Sequence, residues 1–192
     1  MKSRVECFLI EPTERAACKL RRYVSSSDPE HGKCSGPMGY HDASTPIGER
    51  ALDPSVTDHF ALIDRSQPPH DDPRWPTKCD GCGYVFRDED HWQLFDEVIY
   101  VRRDTGAEMT LRTAPAGALW DCSWWPDKGP DGHHWCVKLP PGGPCDEWQI
   151  DGPSNDGGRW TRSGVAPRLT ARPSILTSRY HGFLTDGVLE EC

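Results

Sequence analysis

Short apolar runs separated by turn-forming residues dominate the chain, and this pattern predicts strands more than helices. Val5 to Ile10 is largely apolar and is followed at once by Glu11 and Pro12, so it predicts a strand that ends there. The segment from Thr13 to Val24 fits both helical spacing and an edge strand, and the pattern leaves that choice open. From Ser25 to Pro76, serine, proline and glycine predict mainly loops.

Hairpins are predicted further along the chain. Residues 97–103 and 108–112 predict two strands joined by a glycine-containing turn, and residues 118–125 and 134–139 predict a second hairpin. Further short strands are predicted at Glu147–Asp151, Arg168–Ala171, Gly182–Leu184 and Val188–Leu189. Asp88 to Phe95 is a helix candidate, because acidic residues lie in its first turn. The predicted fold class is mainly β, a β-rich α+β arrangement of short antiparallel strands and hairpins with long loops.

Two regions follow from this pattern, a loop-rich region over residues 1–95 and a β-rich region over residues 96–192. The alternative is one continuous domain, since 192 residues can bury a sizeable core. Six of the eight tryptophans lie between Trp92 and Trp148. In a β domain with few large aliphatic residues, we expect such tryptophans to supply core area.

The most informative chemical feature is a pair of cysteines two residues apart, Cys79 and Cys82, in the sequence Lys-Cys-Asp-Gly-Cys-Gly-Tyr. Two thiolates on such a turn can bind one tetrahedral metal ion, and Gly81 and Gly83 permit the tight backbone that this requires. The same spacing occurs in thioredoxin-like redox centres and in unremarkable free thiols. Redox centres follow a buried strand, whereas this pair follows Arg74-Trp-Pro-Thr77, so we favour half of a structural zinc site.

Four-coordinate zinc needs two further ligands, and the sequence offers three sources for them. We favour Cys34 and His41, because both lie in a glycine-rich stretch that a compact domain would have to pin. His91, beyond an acidic run, is the second source. The third source is the tryptophan-rich segment, with Cys122, His133 and His134. The predicted Zn²⁺ site therefore consists of Cys34, His41, Cys79 and Cys82.

The net charge and the number and spacing of the cysteines argue against some classes of protein. The chain has 30 acidic and 22 basic residues and a formal charge of −8, which argues against a protein that reads nucleic-acid sequence. Its nine cysteines are odd in number and irregular in spacing, unlike a secreted disulfide framework. The sequence also contains no secretory h-region after Met1 and no run of about eighteen apolar residues. We therefore expect a soluble protein made in a reducing cytoplasm.

Three C-terminal motifs occur in order, Leu139-Pro-Pro-Gly-Gly-Pro-Cys-Asp-Glu-Trp148, Arg172-Pro-Ser-Ile175 and Tyr180-His-Gly-Phe-Leu-Thr-Asp-Gly-Val-Leu189. Together with Gly39-Tyr-His41 and the cysteine pair, they resemble a family of uncharacterised proteins of tailed phages and prophages. The resemblance covers most of the chain and implies a phage-encoded protein located in the host cytoplasm or the virion. Some members of the wider family have a cysteine-rich C-terminal region that resembles a metal site, and this chain keeps Cys145 and His181 at matching places but lacks the other residues of that region.

Two classes of function are compatible with these features. The favoured hypothesis is a non-enzymatic, zinc-stabilised module that binds protein partners in a phage particle or its assembly, and that could form homo-oligomers. The alternative is a hydrolase of unknown substrate, either metal-dependent or with a Cys145–His181 nucleophile pair. The residues available to it are Asp121, His133, His134, Cys145 and His181. Because His133 and His134 are adjacent, they would point to opposite sides of a strand and could not both bind one metal ion. The sequence contains no HExxH, Walker, GxGxxG or GxSxG motif.

Overall fold

The computed structural model describes residues 3–25, 40–52, 68–80, 82–142, 146–152, 161–177 and 179–192. Within these ranges the chain forms twelve strands and no helix, so the predicted mainly-β fold class is confirmed. The strands are β1 (Arg4–Glu6), β2 (Phe8–Ser25), β3 (Tyr40–Ala51), β4 (His91–Arg102), β5 (Glu108–Met109), β6 (Ala118–Asp121), β7 (Trp135–Lys138), β8 (Glu147–Gln149), β9 (Thr161–Val165), β10 (Arg168–Leu176), β11 (His181–Thr185) and β12 (Val188–Glu191). A membrane-spanning helix is absent from the described part of the chain.

The predicted helix over Asp88–Phe95 is wrong. Residues 88–90 form a turn, and β4 begins at His91. Acidic residues do suit the first turn of a helix, but Trp92 and Phe95 have high β propensity and β4 is a neighbour of β2 in a sheet. Pairing with β2 outweighs the local preference for a helix.

Strand β2 is longer than the sequence predicts. The segment from Thr13 to Val24 belongs to it, which settles the open choice in favour of a strand. Pro12 was expected to end the first strand and instead lies inside β2. Pro12 lies between two of the pairings of β2, since Phe8 and Leu9 pair with β6 and the ladder with β3 begins at Arg15, so neither of these needs its missing amide donor.

The chain divides into two compact units, and the predicted boundary between residues 95 and 96 falls inside β4. The terminal unit comprises Met1–Thr13 and Tyr100–Cys192, and the knuckle unit comprises Glu14–Ile99. Each contains its own strand pairings and its own buried side chains.

In the terminal unit, five strands form an antiparallel sheet in the order β1-β12-β11-β10-β9. Strands β6, β7 and β8 pair antiparallel, as do the end of β4 and β5, which confirms both predicted hairpins. The buried core is mainly aliphatic and contains Leu119, Val137, Leu139, Ile150, Leu169, Ala171, Ile175, Tyr180, Leu184 and Leu189. Trp120 is buried, Trp135 and Trp148 pack against this core, and Trp125 is exposed, so only some of the tryptophans supply core area.

In the knuckle unit, β3 pairs antiparallel with β2, with Tyr23 opposite Asp42 and Val24 opposite His41. The sequence predicts loops here, and for residues 40–51 that prediction is wrong. Pro46 and Gly48 are poor strand residues, but the ladder skips Ile47 between them, and this bulge accommodates them. The predicted loop residues 26–39 and 53–67 lie outside the described residues.

Candidate metal centre

Cys79 and Cys82 lie on a tight turn, here called the knuckle, which spans Lys78 to Val85. A bridge pairs Lys78 with Val85, and the amide of Cys79 donates to the carbonyl oxygen of Tyr84 at 2.8 Å. Inside the turn, the amide of Gly83 donates to the carbonyl oxygen of Cys79 at 2.9 Å. Gly83 has a φ of 76°, a conformation that L-residues adopt at a cost, which explains the glycine after the second cysteine.

Strand β3 brings a histidine to the knuckle. The amide of Asp80 donates to the carbonyl oxygen of Asp42 at 3.1 Å, and the amide of Asp42 donates to Sγ of Cys79 at 3.3 Å. These main-chain contacts hold the beginning of β3 against the turn. His41, the residue before Asp42, therefore lies beside both thiols.

The three side chains converge into one potential metal-binding cluster. One ligand atom from each of His41, Cys79 and Cys82 lies within 4.8 Å of the other two, and Nδ1 of His41 is 3.1 Å from Sγ of Cys82. His41 and Cys79 are buried, whereas Cys82 is exposed. Imidazole and thiolate donors in this number and proximity could hold a metal ion.

Aromatic side chains enclose the buried side of the cluster. The His41 ring stacks on Tyr84 with ring centroids 4.3 Å apart, and Tyr84 contacts Phe86 edge to face. The Tyr84 hydroxyl lies 3.3 Å from a carboxylate oxygen of buried Asp90, and burial together with this carboxylate raises the pKa of Tyr84. Packing of Ala43, Cys79 and Phe86 completes a small hydrophobic cluster under the turn.

An ion pair supports the backbone that carries His41. Arg21, on β2, donates two hydrogen bonds of 2.8 Å to the two carboxylate oxygens of Asp42. Its guanidinium also lies 4.5 Å from the centre of the Tyr23 ring. Both partners are about four-fifths buried, so the bidentate pair fixes Asp42 against β2.

Three of the four predicted metal ligands are described by the structure, and these three lie together. His41, Cys79 and Cys82 come together, while Cys34, the fourth predicted ligand, lies outside the described residues. His91 is exposed at the start of β4, and its ring stacks on Tyr23 at 4.8 Å, outside the cluster. The sequence gives no local signal for the supporting roles of Asp42, Tyr84 and Arg21, because these depend on the pairing of β2 with β3 and on the packing of the knuckle against β3.

The residues considered for a hydrolase lie in the terminal unit. Nδ1 of His133 is 2.7 Å from a carboxylate oxygen of Asp121, and both line a cleft of about 510 Å³ whose other walls include Leu9, Ile10 and Val165. His134 is buried, and its Nδ1 lies 2.7 Å from the carbonyl oxygen of Asp127. The two adjacent histidines thus lie in different environments, half-exposed and buried, although both precede β7 and neither lies in a strand.

Of the two residues considered for a thiol enzyme, the structure describes His181 alone. His181 is exposed at the beginning of β11, and Cys145 lies outside the described residues. Cys122, also considered as a metal ligand, has its Sγ 2.7 Å from Sγ of Cys136.

Comparison of the chain with protein-family models, with curated proteins and with solved structures gave no significant match.

Proposed function

We propose that this protein is a non-enzymatic binding module in which a structural zinc ion, held by His41, Cys79 and Cys82, stabilises the knuckle unit. The observation that carries the proposal is the convergence of these three donors from two separate segments of chain. A Cys-Cys-His donor set suits zinc, whose structural sites use thiolate and imidazole ligands. The fourth ligand in this proposal is Cys34, as the sequence predicts.

The spacing of the donors supports zinc further. Zn–S bonds of about 2.3 Å and Zn–N bonds of about 2.0 Å place tetrahedral ligand atoms roughly 3.5–3.8 Å apart. All three donor atoms lie within 4.8 Å of one another, and the separation of Nδ1 of His41 from Sγ of Cys82 is 3.1 Å. Small side-chain rotations therefore suffice to bring the donors to zinc distances.

A structural role is favoured over a catalytic one by the surroundings of the cluster. The His41 ring is buried against Tyr84, and Cys79 is buried beside Ala43 and Phe86. A catalytic zinc ion requires an open position that a substrate can reach. An ion bound here would mainly join β3 to the knuckle, and so stabilise residues that carry few other core contacts.

The proposed partners are proteins of a phage particle or its assembly pathway, and the support for this context is the sequence resemblance described above. The formal charge of −8 favours protein partners over nucleic acid. Close to the cluster, Tyr40 and Val85 are exposed, Val85 by 59%. Apolar side chains next to a metal-stabilised turn are suited to the centre of a protein interface.

Val85→Asp tests the binding role without touching a metal ligand. We expect normal folding and normal zinc content, but loss of incorporation into phage particles produced from a genome carrying the variant. The matched control is Val165→Asp, because Val165 is 82% exposed and belongs to the terminal unit. Particles that incorporate both variants as well as the unmodified protein would contradict the proposed binding surface.

A hydrolase is the second candidate, and the hydrogen-bonded pair of His133 and Asp121 at the cleft favours it. A carboxylate that holds Nδ1 of an imidazole leaves Nε2 available as a general base. Release of product from ester and phosphodiester substrates by the purified protein, abolished by His133→Ala and retained by His181→Ala, would replace the binding role with this one.

A further inference from the structure

A pair of buried thiols lies in the β6–β7 hairpin of the terminal unit. Trp120 pairs with Cys136 across the two strands, and the amide of Cys122 donates to the carbonyl oxygen of His134 at 2.7 Å. Cys122 and Cys136 thus project from the same face of the hairpin, diagonally across the ladder. Each is 3% exposed, and their Sγ atoms are 2.7 Å apart.

The side chains around the pair are largely buried. The Tyr100 hydroxyl and the Trp120 indole nitrogen are buried and have no hydrogen-bond partner among the described residues. The hydrogen bond with Cys122 and burial both raise the pKa of Cys136, which favours its neutral thiol. Neutral thiols are poor metal ligands, and the described chain provides no third His, Cys or acidic ligand close to both of them.

We propose that Cys122 and Cys136 form a site of reversible disulfide formation, whose oxidant is a low-molecular-weight disulfide of the glutathione class. In the first step one thiol loses its proton, its sulfur attacks the oxidant, and one reduced thiol leaves. In the second step the other cysteine loses its proton and displaces the second reduced thiol from the mixed disulfide. The protein pair loses two protons and two electrons in total, and the oxidant is reduced to two thiols.

The location of the pair determines what the disulfide would do. It would close a loop over residues 123–135, which includes His133, and join β6 to β7 at one end of their ladder. Cross-linking removes conformational freedom from the unfolded chain, so the oxidised terminal unit should be more stable than the reduced one. Because both sulfurs are buried, reaction requires brief opening of the hairpin and should be slower than reaction of an exposed thiol.

The test uses the full-length, metal-loaded protein incubated with oxidised glutathione, denatured with excess alkylating agent and mapped by peptide mass spectrometry. We expect one cross-linked peptide pair joining Cys122 to Cys136, at a mass about 2 Da below the sum of the two thiol peptides. Exposed Cys192 should instead carry glutathione or the alkylating agent. The Tm should rise by roughly 5–10 °C on oxidation and return after treatment with a phosphine reductant.

Two variants separate this effect from general oxidation. Cys136→Ala should abolish both the cross-link and the rise in Tm, whereas Cys7→Ala, which removes another largely buried thiol of the terminal unit, should retain both. The peptide map of the unmodified protein decides the question even if Cys136→Ala fails to fold. Recovery of Cys122 and Cys136 as separate alkylated or glutathione-bearing peptides after full reaction of Cys192, or of Cys122 joined to a different cysteine, would overturn the proposal.

Discussion

The backbone amide of Asp42 donates a hydrogen bond to Sγ of Cys79 at 3.3 Å. Amide donors lower the charge density on a thiolate and so stabilise it as a ligand. Because Asp42 follows His41 directly, the same contact that supports one potential ligand also positions another. Metal binding and the docking of β3 against the knuckle should therefore be coupled.

Cys79→Ser should release the metal ion and loosen the knuckle unit. Outer-shell changes usually cost about 10–100-fold in metal affinity, so removal of a buried ligand should cost more than about 100-fold. Hydrogen exchange of backbone amides should accelerate in residues 40–52 and 68–90 and change little in β10 to β12. Cys192→Ser is the control, since this exposed cysteine lies outside the cluster. Equal loss of protection along the whole chain would show that the two units unfold together.

Replacement of His41 and of His91 should have different effects. His41→Ala removes a cluster member and should reduce metal affinity by more than about 100-fold. His91→Ala removes only an exposed ring that stacks on Tyr23, so metal affinity should stay within about twofold and stability should fall by about 0.5–1 kcal/mol. Competition with a chromogenic chelator measures both affinities. The same affinity loss in both variants would contradict the assignment of His41.

Gly83→Ala tests the backbone conformation of the knuckle. A Cβ atom at this position would meet no atom within 4 Å, so any cost must come from the φ of 76°. We expect a loss of about 1–2 kcal/mol in the free energy of unfolding of the metal-loaded protein. Gly83→Asn should cost less, because asparagine adopts left-handed backbone conformations more readily. Chemical denaturation of both variants tests the predicted order of stability, in which Gly83→Asn lies between the unmodified protein and Gly83→Ala. Equal stability of Gly83→Ala and the unmodified protein would contradict this order.

The fold class was predictable because turn-forming residues separate short apolar runs, which favours hairpins. The helix predicted at Asp88–Phe95 shows where this reasoning fails. Local acidic residues favoured a helix start, but pairing of β4 with β2 decides the outcome, and pairing depends on residues far away in sequence. The pattern over Thr13 to Val24 fits both a helix and a strand for the same reason, since the ladder of β2 with β3 is not visible locally.

The candidate metal centre was predictable only in part. The spacing of Cys79 and Cys82 indicated a metal-binding turn, and His41 was favoured because its glycine-rich surroundings needed an anchor. The sequence alone does not decide between His41 and His91 as the histidine ligand, because the register that sets Val24 opposite His41 is a tertiary property. The ion pair between Arg21 and Asp42 depends on the same register of β2 with β3.

Asp131 should make the terminal unit sensitive to acid. Hydrogen bonds to its carboxylate hold the pKa of Asp131 well below its usual range, with the largest contribution from Arg162 and a smaller one from Trp135. A depressed folded-state pKa stabilises the native state above the unfolded pKa of about 3.9, and this contribution is lost as the pH falls below that value. Because Asp131 is partly exposed, solvent weakens the effect.

Asp131→Asn should therefore lower the Tm more at neutral pH than at about pH 3, because the stabilising contribution of ionised Asp131 is already partly lost at the lower pH. Asp186→Asn is the control, since Asp186 lies at an exposed position 3.9 Å from Arg168 and such pairs contribute little. Thermal unfolding followed by circular dichroism over this pH range provides the measurement. A difference between Asp131→Asn and the unmodified protein that grows on acidification would contradict the assigned sign.

The zinc ion proposed at His41, Cys79 and Cys82 can be detected directly. Native mass spectrometry combined with elemental analysis of protein purified without chelator tests this proposal most directly. We expect one zinc ion per chain in the unmodified protein and none in a Cys79→Ser/Cys82→Ser double variant. A metal-free unmodified protein that is fully folded, or zinc retained in full by the double variant, would contradict it.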